Sequence, residues 1–555
     1  MSELSLPNQS KKIKARNNSK LAIVAGFLSL CLCLPVVALV FIAIGGNFES
    51  FYHIATTVMP TATKTTFLLL LGVGLLTALI GTVSAWLVAF YEFPFRGYLQ
   101  WMLMLPLAVP AYISAYAFVE FFSYTGEIQT LVRSIGGYKT PREYWFPDFR
   151  SIGGTVVVMG LVLFPYVYLS VRTMFQFQGS NILDSARVLG TSGWKLFYKV
   201  ILPLVRPAII LGVTLALMET LNDIGAVEHM GTQTLTFSIF SVWLNQNDLA
   251  GAAQIALFLL VIVIFLIKVE GWSRGERRFH DTKASSAKPK IIRKKLSGSR
   301  QYLATIACLM PVVLGFGVPV YVLGKYALAN LDEVYSPELL EVFFTSISLG
   351  LIAAFIAVII ALFLTYSLRV TNLPILRNAV RIASLGYAVP GTLIALGIFL
   401  PLANFDNQLD SVMRSTFGVS TGLLLTGSGA ALVFAYVVRF MAMAEGSITN
   451  GFNKLSPNID MAGRSLGRTR AQVLKSILLP ILKPAIIGAG LLVFIEVIKE
   501  LSATIMLKPF GVNTLSTYVY DYASQARVED AAIGCLLIIA AGAVPVVLLL
   551  RISDR

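Results

Sequence analysis

Four acids stand where so apolar a chain can least tolerate them. Glu219 and Asp223 close an uncharged run that begins after Pro207, and Glu496 and Glu500 close a second that begins after Pro484. An ionised side chain inside a membrane-spanning helix costs roughly 2.5–3.5 kcal/mol or more, so such groups default to a functional reading. Each pair is spaced i, i+4, which puts both acids on one face of a continuous helix. Counted from Pro207, Glu219 lies about 18 Å up a helix rising about 1.5 Å per residue, past the middle of a core about 30 Å thick. Four carboxylates at one depth suit a cation, and they are read as lining a translocation path or its outer gate. The plainer reading is that they end helices at the interface and bond to nearby loops. Lys499, whose counterpart is Asn222, can pair with Glu496 at i+3.

Other chemistry is sparse. Cys31, Cys33, Cys308 and Cys535 fall in apolar runs as buried hydrophobes, with no CxxC and no zinc spacing to His53, His229 or His280. No nucleophile–His–acid set is visible, which argues against an enzyme. A G-x4-G-K-[ST] phosphate loop is absent, so any ATP hydrolysis belongs to a separate subunit. No cofactor is expected and no metal ligand set can be picked out. Glu228-His229 is a weak candidate at an outer loop.

The elements that must position these groups follow from composition. Of 555 residues, 56% are hydrophobic and only 13% charged, against about 25% charged in globular chains. That excludes an ordinary soluble enzyme, and intrinsic disorder as well. Uncharged runs of about 20 residues stand at 21–46, 65–91, 97–119, 151–171, 249–267, 302–324, 342–368, 382–405, 415–438 and 531–550. Adding the segments after Pro207 and Pro484 predicts twelve spans. Pro110 and Pro390, deep in the third span of each set, are expected to kink them. Five basic residues precede the first span, so both termini are expected in the cytoplasm. With that orientation 34 of the 44 Lys and Arg fall on the cytoplasmic side, which makes the net charge of +15 a topology signal rather than a nucleic-acid footprint.

The two sets of six repeat each other. Residues 184–210 and 461–487 share a Gly, a Leu-Pro 13 residues later and a further Pro, all at an offset of 277. That offset also carries Glu219 onto Glu496 and Asp223 onto Glu500, while 280 carries Pro110 onto Pro390. An even number of spans per half makes the repeat parallel. The expected organisation is a basic tail at 1–20, a first half at 21–270, a basic cytoplasmic linker at 271–301 and a second half at 302–555. In each half a long basic loop joins the fourth and fifth spans. Ser456-Pro457 to Gly467 predicts a helix of about ten residues there, and Asn181 to Gly190 predicts its copy. Its exposed face is expected to carry small residues, Ser185 and Ala186, then Ala462 and Gly463, which allow close approach by another surface.

That loop resembles the "EAA" motif of ATP-binding-cassette importer permeases, Glu-Ala-Ala, three residues, Gly, then a downstream Ile-x-Leu-Pro. Here it reads Asp184-Ser185-Ala186…Gly190…Pro203 and Met461-Ala462-Gly463…Gly467…Pro480, with Asp184 and Met461 in place of Glu. The resemblance implies an all-α integral membrane protein of about twelve transmembrane helices as two parallel six-helix repeats, of the type I permease kind, in the bacterial inner membrane. It implies a cytoplasmic ABC ATPase dimer docked on the two loops, a periplasmic substrate-binding protein, and a lipid environment. Residues 219–225 and 499–504 are similar to ferric-iron importer permeases, which implies trivalent iron as substrate. Permeases for thiamine, phosphonate or a polyamine share the architecture. A proton-coupled carrier would also be six plus six, but its Gly-x3-Asp-Arg loop is missing at residues 92–96.

Overall fold

The computed structural model describes residues 8–178, 195, 197–274, 293–371, 373–456 and 458–553. Among the described residues the elements are helices joined by turns and loops, with one two-residue parallel pairing of Tyr91–Glu92 with Lys294–Lys295. Nine of its helices are long and apolar enough to cross a membrane, or eleven spans if each of two bent pairs counts once. These match eleven of the twelve expected spans in order. The twelfth begins as the Ala532–Ser553 helix, whose apolar stretch is assigned over Ala532–Val544.

Three expectations need correction. Pro110 and Pro390 break their spans rather than kink them: helices Arg96–Ala108 and Ala111–Gly136 meet at 94°. Proline pushes its predecessor out of the helical region, and Val109 (φ −93°, ψ 116°) and Val389 (φ −85°, ψ 124°) are both extended. The span expected at 415–438 is the Ala430–Asn453 helix. The preceding Gly391–Phe417 helix runs on through Asp406 and Asp410 and ends at Gly418, φ 67°. Asp410 then accepts from the N–H groups of Thr421 (2.7 Å) and Gly422 (3.0 Å), and Asp406 from that of Thr426 (2.9 Å). These two acids hold a turn, and the uncharged window at 415–438 straddled it. Arg439, just past the end of the expected span, therefore lies inside a helix and is 6% exposed.

The fifth spans also start earlier than Pro207 and Pro484. A π-turn over Phe197–Ile201 feeds the Leu202–Asn222 helix, and one over Leu474–Leu478 feeds Leu479–Lys499, each helix with proline second. A third π-turn, Val313–Gly317, precedes Val318-Pro319 in the same way. The cause is local: proline has no N–H for the carbonyl one turn back. The residue before it instead donates five residues back, Leu479 to Leu474 and Val318 to Val313. In the linker, Lys294–Lys295 dock on Tyr91–Glu92, and the helix expected from 302 starts at Ser299.

Packing divides the chain into two compact units, Met1–Gly45 with Glu341–Thr514, and Gly46–Leu340 with Leu515–Arg555. Packing and sequence repeat thus partition the chain differently. In the first unit the Asn8–Ile44 helix lies on Pro374–Ala383 and Gly391–Phe417, where a Cβ at Gly397 would strike the Pro35 carbonyl. In the second, Met59–Phe90 and Leu202–Asn222 both pack on Ile152–Gln178. Gly81 and Gly212 sit at those crossings, each with Val167 where a Cβ would go. Helices in lipid gain little from hydrophobic burial, so close backbone approach at small residues holds them together.

Candidate functional site

The loop between fourth and fifth spans is described in its second copy only. Asp184, Ser185, Ala186 and Gly190 lie outside the described residues; Pro203 opens the Leu202–Asn222 helix as its second residue. In the second copy the helix runs Asn458–Ser465, and Gly467 ends it at φ 82°. The Arg468 N–H closes back on the Gly463 carbonyl (3.2 Å). Thr469 and Gln472 then form a reciprocal capping box that starts the next turn. Asp460, one residue before Met461, is tied to Arg369 at 2.7 Å, and Arg369 also donates to the carbonyls of Phe452 and Ser456. One guanidinium thereby pins the loop to the Pro337–Thr371 helix.

The surface of that loop differs from expectation at one residue. Ala462 is exposed, but Gly463 is buried; a Cβ there would come within 2.8 Å of Val473 and 3.2 Å of Ile477. Its smallness serves the fold of the loop itself. The outward apolar groups are Met461, 59% exposed, and Leu466, 81% exposed. Met461 belongs to the expected motif, whereas a reading based on small residues did not single out Leu466. Pro480 follows the π-turn as Pro203 does.

The four acids separate by role. The fifth-span helices end at Asn222 and Lys499, so Asp223 and Glu500 stand just past them in extended backbone and do not continue the face of Glu219 and Glu496. The Asp223 carboxylate accepts from the Ala226 N–H (2.8 Å) and caps the Ile224–His229 helix. Glu500, 4% exposed, accepts from the N–H groups of Ala503 (2.9 Å) and Thr504 (3.1 Å) at the start of Ser502–Leu507. It also accepts from Arg439 at 2.6 Å. Glu496 pairs with Lys499 at 3.2 Å, as its i+3 spacing implied. The repeat therefore conserves a broken fifth span whose break is capped by an acid. The i, i+4 pattern could not reveal this, because the break depends on backbone beyond the helix.

Glu228 and His229 come together with residues that spacing did not connect. A cavity of about 220 Å³ is lined by Tyr116, Arg150, Glu228, His229, Tyr520 and Ser524, with Gly225, Ala523 and Ala526 leaving the space. The Tyr520 hydroxyl donates to Glu228 at 2.7 Å. The His229 ring stands edge-on to Tyr116, centroids 4.6 Å apart, and its Nε2 is buried with no hydrogen-bond partner among the described residues. Burial first, and the Arg150 charge second, push the imidazole down to about 4, so it is neutral at pH 7. Burial raises the Glu228 carboxyl, partly offset by Tyr520, and burial with the Glu228 contact raises the Tyr520 phenol.

Residues 77–270 match the family model described as binding-protein-dependent transport system inner membrane component. With apolar broken spans on either side of a basic loop, this match likens the chain to the membrane permeases of binding-protein-dependent importers, and its relatives are transport permease subunits and not enzymes. Over 500 residues, 90% of this chain and 91% of the relative, it is 26% identical to the Fe(3+)-transport system permease protein FbpB 2 of Haemophilus influenzae. It is also 27% identical over 248 residues to the sulfate transport system permease protein CysT of Escherichia coli, covering 43% of this chain and 86% of that protein. A probable sulfate transport system permease protein of Chlorokybus atmophyticus is 29% identical over the same share of this chain and 83% of its own.

Proposed function

We propose that the chain imports ferric iron, as the two-half permease of a system with an outer binding protein and two cytoplasmic ATPase subunits. The observation that carries the substrate is the extent of likeness. Similarity to the Fe(3+) permease runs through both halves, whereas the sulfate permeases align with 43% of the chain. The element-by-element repeat of π-turn, Leu-Pro and broken fifth span supports one coupling loop per half, 21–270 and 302–555, joined by the 271–301 linker. The bias of Lys and Arg supports a cytoplasmic basic tail at 1–20 and both termini on that side.

ATP-driven closure of the ATPase pair would act on residues 184–190 and 461–467, and the pinned Asp460–Arg369 contact would pass that force to the spans. Each partner must favour one conformation over the other for this to drive transport. Glu219 and Glu496, inside the fifth spans, are assigned to the cation path; Asp223 and Glu500 are assigned to the pivots where those spans break. Uptake of labelled ferric iron, beside sulfate and thiamine, in cells with and without the protein tests the substrate. Iron uptake that depends on the chain is expected, and sulfate or thiamine uptake in its place refutes it.

A further inference from the structure

The cavity beside Glu228 has the make-up of a binding site rather than a packing gap. Its polar lining comes from four separate stretches of the chain: Tyr116, Arg150, Glu228 with His229, and Tyr520 with Ser524. Packing defects in helical membrane proteins are apolar, and an apolar void stays dry. This one instead brings a carboxylate, an imidazole and two phenols to one space. The buried Nε2 of His229 has no partner among the described residues, and a buried nitrogen left unpaired is costly unless a ligand takes its lone pair. Among the described residues no three His, Cys, Asp or Glu side chains converge, so any metal held here needs the tyrosine oxygens.

We propose that this cavity is a ferric-ion subsite of the permease, with Glu228, His229, Tyr116 and Tyr520 as its donors. The inference rests on the ferric-iron reading above and deepens it. Carboxylate and phenolate oxygens are hard donors that match a hard trivalent cation. At about 220 Å³ against about 30 Å³ per water, the cavity takes the ion with several waters, as a transit site should. Entry replaces the Tyr520–Glu228 hydrogen bond: the phenol gives up its proton to solvent and both oxygens turn to the metal. Tyr116 loses its proton likewise, and His229 turns its unpartnered Nε2 to the metal. The site lies at the end of the Ile152–Gln178 helix next to Arg150, opposite the end that leads into the coupling loop. That is where an ion released by an outer binding protein would enter. Arg150 is the one group here that would favour an oxyanion, and it sets the competing outcome.

The test uses the purified full-length chain in lipid nanodiscs, titrated with ferric nitrilotriacetate. Tyrosinate bound to Fe(III) gives a visible ligand-to-metal charge-transfer band. The band should appear with the wild type, weaken in Tyr520→Phe, vanish in Tyr116→Phe/Tyr520→Phe, and need at least about tenfold more iron in Glu228→Gln. Tyr522→Phe, whose hydroxyl bonds Glu338, should keep the band, and unchanged thermal unfolding of each variant shows that it folds. No band in the wild type, or a band kept in Tyr116→Phe/Tyr520→Phe, overturns the site. Labelled sulfate bound through Arg150 without a ferric band overturns it in favour of an oxyanion pocket. Iron uptake by cells without a band removes this site and leaves the iron reading standing. Sulfate uptake without iron removes both.

Discussion

Arg439 Nη1 donates to Glu500 Oε1 at 2.6 Å, and the two side chains are only 8% and 1% exposed. The same carboxylate caps the Ser502–Leu507 helix, and Thr504 links it to the Tyr436 hydroxyl at 2.7 Å. Gly391 makes room, since a Cβ there would meet both Arg439 and Glu500. One ion pair thus joins the Ala430–Asn453 helix to the break in the fifth span, with Gly391 of the third-span break beside it.

Removing one partner should cost far more than removing both. Arg439→Met strands a buried carboxylate, and losses of about 3–5 kcal/mol are usual for a broken buried pair. The double variant Arg439→Met/Glu500→Gln should recover much of that. Denaturant unfolding in detergent checks it; equal loss in single and double variants would mean that the pair itself contributes little.

The third-span break should be sensitive to a single methyl on one side of the repeat only. Gly391→Ala pushes into Arg439 and Glu500 and should lower the unfolding temperature. Ala111→Gly, its repeat counterpart, should cost no more than about 1 kcal/mol. Thermal scans of the two variants side by side decide between them.

Helix crossings give a second steric prediction. Gly81→Ala places a Cβ 2.6 Å from Val167 Cβ and 2.8 Å from the Tyr168 nitrogen, and should destabilise by about 1–3 kcal/mol. Gly26→Ala meets nothing within 4 Å and should fall within about 0.5 kcal/mol of wild type. Limited proteolysis in nanodiscs reads the difference.

At the coupling loop, Met461→Glu with Leu466→Glu should reduce ATPase co-purification at least about tenfold, the loss expected when exposed apolar anchors of an interface are replaced. The unfolding temperature should not move, because both side chains face outward. Gly467→Ala, at φ 82°, should cost about 1 kcal/mol and also weaken docking. Retained ATPase binding in the double variant would put the docking surface elsewhere.

Much of this was written locally. Uncharged runs of helical length located the spans, since a bilayer demands about 20 apolar residues and the chain has little else. Where two acids hold a turn, as Asp406 and Asp410 do, the same rule failed. A charge that is satisfied by backbone N–H groups no longer marks a loop. Glu219 and Asp223 show the same limit: spacing put them on one face, but the chain leaves the helix between them.

The sequence by itself determined the class of protein, the duplicated loops with their Gly and Leu-Pro frame, and the π-turns, because proline and glycine act on backbone one turn away. Only the tertiary structure decided which residues meet across hundreds of positions. Tyr520 reaches Glu228, and the Asn8–Ile44 helix packs with 341–514, because helices in lipid are matched by shape and by a few buried polar contacts. Neither leaves a period or a spacing in the chain. Backbone geometry therefore separates the four acids: two lie within helices, and two cap the helices that follow the breaks.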